Sequence, residues 1–386
     1  MRILFTTTGG MGNFYPLVPL AQALRNQGHQ LAFATPARFG PVVEATGFAA
    51  IPAGLNMTFR EYREQLGPLP PGANEVAEVF VNGLAGPMLA DLLRIIPEWR
   101  PDLLVHDGVE FAAPAAGEML NIPHVAHNLI LVGYSPELWD ILVRHEYAAF
   151  RRAHGLPPDL QYREYFRYMY LQHVPERITP LPASIADRSH LIRPEFPAEA
   201  SSGLPVWSSQ LADVPTVYVT LGTVFNQTKG LIETILAALG QGEYNLVVTV
   251  GTERDPHEFG SQPSTVHIER YVPQAAILPR CDVVVCHGGS GTLLGALACG
   301  KPMLIIPLSG DHFPSAERLL ALEVAEVLQA PEANVQSIHT SVQRVLSTAR
   351  YQEQASVIKE DIAMMPSPHE VARVLEARWQ TWRNRA

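Results

Sequence analysis

Twice in a chain of 386 residues, a short apolar run breaks into a loop rich in glycine and threonine and then into an amphipathic stretch. The first opening is a predicted strand at 2–6, a loop at 9–13 and a helix to about residue 27. Pro16 suits a first helical turn, Leu17, Leu20, Ala21 and Leu24 share one face at the 3.6-residue period, and Gly28 follows as the stop. The second opening is a strand at 217–221, then Gly222-Thr223, then a helix at 231–239. More short β-rich runs follow each, at 31–34, 49–51, 103–106 and 124–126 in the first half. In the second half they lie at 246–250, 266–269, 283–286, 303–306 and 324–328. Helical stretches such as 111–120 alternate with them, which predicts parallel sheets covered on both faces. The fold class expected is therefore α/β, with two facing Rossmann-like, doubly wound domains and the ligand in the interdomain cleft.

The expected division is an N-terminal acceptor-binding domain at 1–200, a linker at 201–214 and a C-terminal donor-binding domain at 215–365. A last helix, within 366–386, is expected to pack back on the N-terminal domain. The segment 194–215 is rich in Pro, Ser and Ala, which marks the linker. Two regions break the alternation. Residues 56–86 contain LGPLPPGAN and read as loop. Residues 139–174 gather Tyr147, Phe150, Tyr162, Tyr165, Phe166, Tyr168 and Tyr170, which fit either a core or a wall for a flat apolar ligand.

A formal charge of −10 argues against nucleic acid as a partner, since phosphate-backbone binding needs surplus Lys and Arg. The opening residues turn polar too soon for a signal peptide, and the apolar runs are too short to span a bilayer. A cytoplasmic protein without a transmembrane segment is expected; a homodimer stays open. Cys281, Cys286 and Cys299 suit a reducing compartment. Cys281, Cys286 and His287 could be metal ligands, but small apolar thiols around a buried strand are the better reading, and no metal is expected.

The informative segment runs from Val283 to Phe313. An apolar strand ends at Cys286, and His287-Gly288-Gly289-Ser290-Gly291-Thr292 turns into a helix. Glycines let the backbone approach a ligand, and freed amides with the helix dipole favour negative charge there. Ser290, Thr292 and His287 add side-chain donors, so a pyrophosphate suits the turn. The same donors would stabilise a departing diphosphate.

In order along the chain stand Tyr271-Val272-Pro273-Gln274, the His287–Thr292 turn, Gly300-Lys301-Pro302 and Asp311-His312. With these elements, the opening ILFTTTGGMGNFYP, Pro101–Asp107 and Ile122-Pro123-His124, nearly the whole chain resembles the inverting nucleotide-sugar glycosyltransferases of the GT-B fold. The likeness is to bacterial natural-product (antibiotic) members. The resemblance implies that Tyr271, Val272 and Gln274 contact base and ribose. It implies that His287, Gly289, Ser290, Gly291, Thr292 and Thr223 hold the diphosphate, and that Asp311 and His312 meet the sugar. It implies no cofactor beyond the substrate, a nucleotide-diphosphate sugar expected to be dTDP-linked; the absence of any Asp-x-Asp pair fits a metal-independent site. The partner molecules would be that donor and a polyketide or aromatic aglycone, lined by Asn13, Phe14, His127, Tyr165 and Tyr168.

The sequence departs from the family pattern at two places. Where the family often carries a catalytic His in the first loop, this chain has Asn13, while Asp107 fits the position that orients that His. An amide accepts no proton at useful pH. Asn13, Asp107 and His287 are the catalytic candidates, with Glu110, His106 and His127 as further groups that could reach an acceptor. An acidic phenol needing little base, or attack by a ring carbon to give a C-glycoside, are the other routes. The second departure is His312 where Gln is common. A nucleotide-sugar epimerase, a non-catalytic sugar-nucleotide binder and a dinucleotide oxidoreductase are the competing readings. The last is weakened by a first loop without Gly-x-Gly-x-x-Gly spacing.

Overall fold

The computed structural model describes residues 1–57, 59–69, 74–128, 130–133, 135–196, 204–222, 228, 230–251 and 254–383. Two compact units divide the chain. The N-terminal unit comprises Met1–Val174, Pro180–Glu195 and Met365–Ala386, and the C-terminal unit Pro175–Thr179 and Phe196–Met364.

The N-terminal unit is built on β1 (Arg2–Thr6), β2 (Gln30–Thr35), β3 (Ala49–Pro52), β4 (Leu103–Asp107), β5 (His124–Asn128), β6 (Met169–Gln172) and β7 (Ser189–Leu191). Their order across the sheet is β3-β2-β1-β4-β5-β6-β7, and every pairing is parallel. Near-continuous apolar strands follow from that arrangement, since helices cover both faces. Phe5, Phe14, Phe33, Phe39 and Phe48 fill one face together with Val371, Ala372 and Leu375 of the helix Pro368–Arg383. That helix is also tied down by Trp379, whose indole N–H donates to the Asp102 carbonyl at 3.0 Å.

Two sequence expectations change here. The segment 56–86 is not a loop: it carries the helix Phe59–Leu66 and a wide, π-type helix Ala77–Ala85 that runs on into Gly86–Trp99. The turn residues of LGPLPPGAN hid the periodicity on either side. Gly83 is required in the wide helix, because a Cβ there would lie 2.2 Å from the Tyr62 hydroxyl. The run Ala77–Trp99 is long and apolar enough, by composition, to cross a bilayer, which the sequence reading did not anticipate. Leu89, Leu92, Ile95 and Ile96 pack into the unit's core, which accounts for that apolar character. Second, strands β6 and β7 were not foreseen, because aromatics crowd the stretch that contains the first of them. Tyr147, Tyr162, Tyr165, Phe166 and Tyr170 pack with Phe111 and Trp139 as core. Arg151 is buried among them, its charge met by Glu118 at 2.7 Å and its Nε donating to the Pro157 carbonyl at 2.8 Å.

The C-terminal unit has β8 (Thr216–Thr220), β9 (Asn245–Thr249), β10 (Val266–Glu269), β11 (Val283–Cys286), β12 (Met303–Ile305) and β13 (Ala325–Val327), all parallel, in the order β10-β9-β8-β11-β12-β13. Residues 204–214, expected within the linker, belong to this unit. Trp207 stacks on the His267 ring at 4.2 Å, and its N–H donates to Glu269 at 2.8 Å.

In each sheet the strand order reverses direction at its centre, between β1 and β4 and between β8 and β11. Open parallel sheets bind ligands just beyond the carboxyl ends of the strands at such a point. The residues that follow β1, β4, β8 and β11 are those on which the sequence analysis converged.

Candidate active site

In the C-terminal unit, β11 delivers His287 at its carboxyl end, and Gly289 opens the helix Ser290–Ala298. The His287 ring is buried and lies over two glycines. A Cβ on Gly222, which follows β8 with φ +72°, would sit 2.6 Å from the ring, and one on Gly289 would also sit at 2.6 Å. A Cβ on Gly288, at φ +96°, would sit 3.1 Å from His312 Cβ. A fourth glycine, Gly291, has nothing within 4 Å of its would-be Cβ, so the helix entrance is open on that side. First-turn amides of a helix have no partners within it, so this opening is a natural anion cradle.

Burial drives the His287 pKa down to about 3, helped by neighbouring His312 and opposed by a hydrogen bond to the Thr220 carbonyl. The ring is therefore neutral at physiological pH. The His312 ring stands edge-on to it, 4.7 Å away at 87°. Burial lowers the His312 pKa to about 4, and its Nδ1 accepts the Ser309 N–H at 3.1 Å. A neutral imidazole carries one N–H, so whatever His312 meets through Nε2 it meets as a donor. Asp311 stands just before the helix His312–Ala321 and accepts from the Ser290 hydroxyl at 3.4 Å, with its carboxyl pushed up by burial.

Gln274 donates to the Thr292 hydroxyl at 3.2 Å, which fixes both side chains before any ligand arrives. Val272 is fully buried, while Tyr271 is half exposed at 50%. Thr223 lies outside the described residues. Cys281 and Cys286 are buried thiols whose pKa values are pushed up to about 12, mainly by burial, and Cys281 Sγ donates to the Ile277 carbonyl.

In the N-terminal unit the loop after β1 and the end of β4 form one buried network. Asp107 Oδ2 accepts the Thr8 N–H at 3.0 Å and the Thr8 hydroxyl at 3.3 Å, while Oδ1 accepts the Val109 N–H at 3.0 Å. Asn13 Nδ2 donates to the Thr8 hydroxyl at 2.8 Å. Asn13 and Asp107 are thus linked through Thr8 rather than directly. Glu110 accepts from the Thr6 hydroxyl at 2.6 Å and from the Ala112 and Ala113 amides at 2.7 and 3.1 Å, at the start of the helix Ala112–Leu120. Burial raises both carboxyls, Glu110 to about 7.

The acceptor-side expectations change most. Phe14 is a core residue packed on Phe33 and Phe39, and Tyr165 is buried with its hydroxyl donating to the Gly108 carbonyl at 2.8 Å. His127 is sealed against His173, Nε2 to Nε2 at 2.7 Å, and burial holds its pKa well below the usual value. Tyr168 is engaged by Trp382, His124 and Arg167. Neither does His106 reach out: it is fully buried between the Asp107 carbonyl and His124. Of the acceptor candidates Asn13 and Tyr168 stay partly accessible, while Phe14, His127 and Tyr165 are buried. Residues 56–86, expected to line the acceptor side as a loop, instead contribute Phe80 and Leu84 from a helix to a narrow slot completed by Thr8, Leu55, Met88 and Glu110. Phe80, Leu84 and Met88 recur at four-residue spacing, and that periodicity could have revealed the slot's apolar wall.

Residues 233–378 match the family described as erythromycin biosynthesis protein CIII-like, C-terminal domain. The L-demethylnoviosyl transferase of Streptomyces niveus is 27% identical over 98% of each chain. The glycosyltransferase SnogD from Streptomyces nogalater superposes with a TM-score of 0.80 at 28% identity, covering 98% of this chain and 99% of that one. SsfS6 of Streptomyces sp. SF2575, solved with thymidine diphosphate, gives a TM-score of 0.78 at 24% identity over 98% and 99% of the two chains. The chain is a glycosyltransferase with the GT-B fold, similar over nearly all its length to enzymes of antibiotic and natural-product pathways.

Proposed function

We propose that the chain moves a deoxygenated sugar from its dTDP-linked form, with inversion, onto a polyketide or aromatic aglycone. The observation that carries this reading is the cradle after β11, where a neutral His287 and the open amides of Gly289–Thr292 converge at a helix entrance. Such a donor set matches a diphosphate and strengthens as charge builds on it during departure. It neutralises that charge without a cation, so a metal-independent site is part of the proposal. Thymidine diphosphate is favoured as the carrier because the SsfS6 neighbour was solved with it. Asp311 offers the sugar an acceptor and His312 only a donor. A Gln in that place would match one hydroxyl more, so a sugar lacking a hydroxyl fits better. Inversion follows from a single displacement, the acceptor attacking the face opposite the diphosphate.

Calorimetric titration of TDP, UDP and NAD without added metal tests the reading. TDP is expected to bind wild-type protein, and His287→Ala to weaken it by about 1–3 kcal/mol, the range for a hydrogen bond to a charged group. Binding of NAD with neither nucleoside diphosphate would sink the glycosyl-transfer reading.

A further inference from the structure

We propose that the Thr8 hydroxyl relays the acceptor's proton to Asp107, the task that a histidine at position 13 would otherwise share; the proposal rests on the glycosyl-transfer reading above. Asp107 cannot touch an acceptor itself. It is fully buried, and its two oxygens hold the Thr8 N–H, the Thr8 hydroxyl and the Val109 N–H. Thr8, by contrast, lines the slot bounded by Leu55, Phe80, Leu84 and Met88.

The hydrogen-bond inventory gives this chain a direction. A hydroxyl has one proton and two lone pairs. An ionised Asp107 can only accept, so the Thr8 proton points to Oδ2. The amide of Asn13 must then be the donor to Thr8, at 2.8 Å. One lone pair of Thr8 is left for a hydroxyl entering the slot. Asn13 fixes the Thr8 rotor, which makes it a positioning residue. The 3.3 Å link to Asp107 is long. Catalytic hydrogen bonds in ligand-free sites commonly tighten when substrate binds.

The step balances. The acceptor oxygen forms a bond to the anomeric carbon while the bond from that carbon to the diphosphate oxygen breaks, and the diphosphate leaves with the electron pair. The acceptor O–H proton passes to Thr8 Oγ1 as the Thr8 proton passes to Asp107 Oδ2. Protonated Asp107 returns its proton to solvent after the product leaves. Burial pushes the Asp107 carboxyl up, against the pull of the Thr8 and Val109 amides, and so makes it a better proton sink than an exposed aspartate. Glu110 stands in the same slot, but Thr6 and the first amides of its helix already occupy it.

The test uses wild type, Thr8→Val, Thr8→Ser, Asp107→Asn and Glu110→Gln, with a TDP-linked deoxyhexose, TDP-6-deoxyglucose, as donor. The acceptors run from 4-nitrophenol, ionised near neutral pH, through 4-methoxyphenol to benzyl alcohol. Thr8→Val is expected to slow transfer to 4-methoxyphenol and benzyl alcohol by about 100-fold or more in kcat, the usual size of a general-base contribution. It should slow 4-nitrophenol, which needs no base, by less than about fivefold. Asp107→Asn should show the same dependence on acceptor acidity. Thr8→Ser should restore the weakly acidic acceptors, and TDP affinity should not move. Equal slowing of all three acceptors by Thr8→Val would overturn the relay, as would the same pattern arising from Glu110→Gln. A wild-type protein that glycosylates none of them removes the transfer reading itself, and the relay with it.

Discussion

The loop after β1 and the loop after β11 both break a central parallel strand with glycines, yet they spend their polar groups in opposite ways. After β1, Thr6, Thr8 and Asn13 are turned inward onto two buried carboxylates, Asp107 and Glu110. After β11 the Asp311 carboxylate touches the turn through a 3.4 Å contact to the Ser290 hydroxyl, and the glycines clear space around one neutral histidine at a helix entrance. The first loop is a closed network that manages negative charge and protons. The second is an open cradle that awaits an anion. One motif, strand–glycine loop–helix, thus serves two chemistries, and the residues facing it from the neighbouring strand decide which.

Deleting a carboxylate separates the two most sharply. Asp107→Ala leaves the Thr8 and Val109 amides buried without an acceptor, and each orphaned donor costs about 1–3 kcal/mol. A loss of about 3–5 kcal/mol from the unfolding free energy of the N-terminal unit is expected, by denaturant titration. Asp311→Ala removes only a 3.4 Å contact to Ser290 and should cost under about 1 kcal/mol. Equal costs would mean that both loops are closed networks and would break the comparison.

Glycine replacement probes the other side. In Gly222→Ala the added Cβ meets the His287 ring at 2.6 Å on a backbone already at φ +72°. Strain of about 1–3 kcal/mol is expected, together with at least a tenfold loss of TDP affinity as the ring is displaced. Gly12→Ala in the first loop meets nothing within 4 Å and lies in the helix Met11–Phe14. Its effect should be neutral or stabilising by a few tenths of a kcal/mol. Thermal melts of the two variants side by side give the contrast directly. A Gly12→Ala variant as damaged as Gly222→Ala would show that the first loop, too, is sterically filled.

The open cradle was far more legible in the sequence than the closed network. Val283–Cys286 and the glycines after it form a local unit in which strand end, turn and helix start follow one another in the chain. The Asp107–Thr8–Asn13 link joins the segment after β1 to the end of β4, far apart in sequence, and no local pattern announces that Thr8 stands between the other two. The same reason explains the misplaced acceptor wall. Tyr165 and Phe14 looked like ligand-facing aromatics because composition cannot say which side of a sheet or helix they occupy. In fact they fill the unit's two hydrophobic faces. The slot beside Thr8 is lined from Ala77–Trp99, whose periodicity was masked by the Pro- and Gly-rich residues before it.

The finest test of the contrast is a pH titration of ligand binding. A histidine with an ordinary pKa would lose its charge between about pH 5.5 and 8, and its contribution to holding a diphosphate would fall as the pH rises. His287, lowered to about 3 chiefly by burial, and His312, lowered to about 4, are neutral throughout that window. TDP affinity should therefore change only with the ligand's own phosphate titration, which wild type and His287→Ala share. The ratio of their dissociation constants should stay within about twofold from pH 5.5 to 8, since a shift of about one pKa unit would already move it tenfold. A ratio that is large at pH 5.5 and collapses by pH 8 would mean that the bound diphosphate pulls a proton onto His287. In that case the cradle, like the loop after β1, would be a proton-handling site, and the distinction between the two would rest on glycine packing alone.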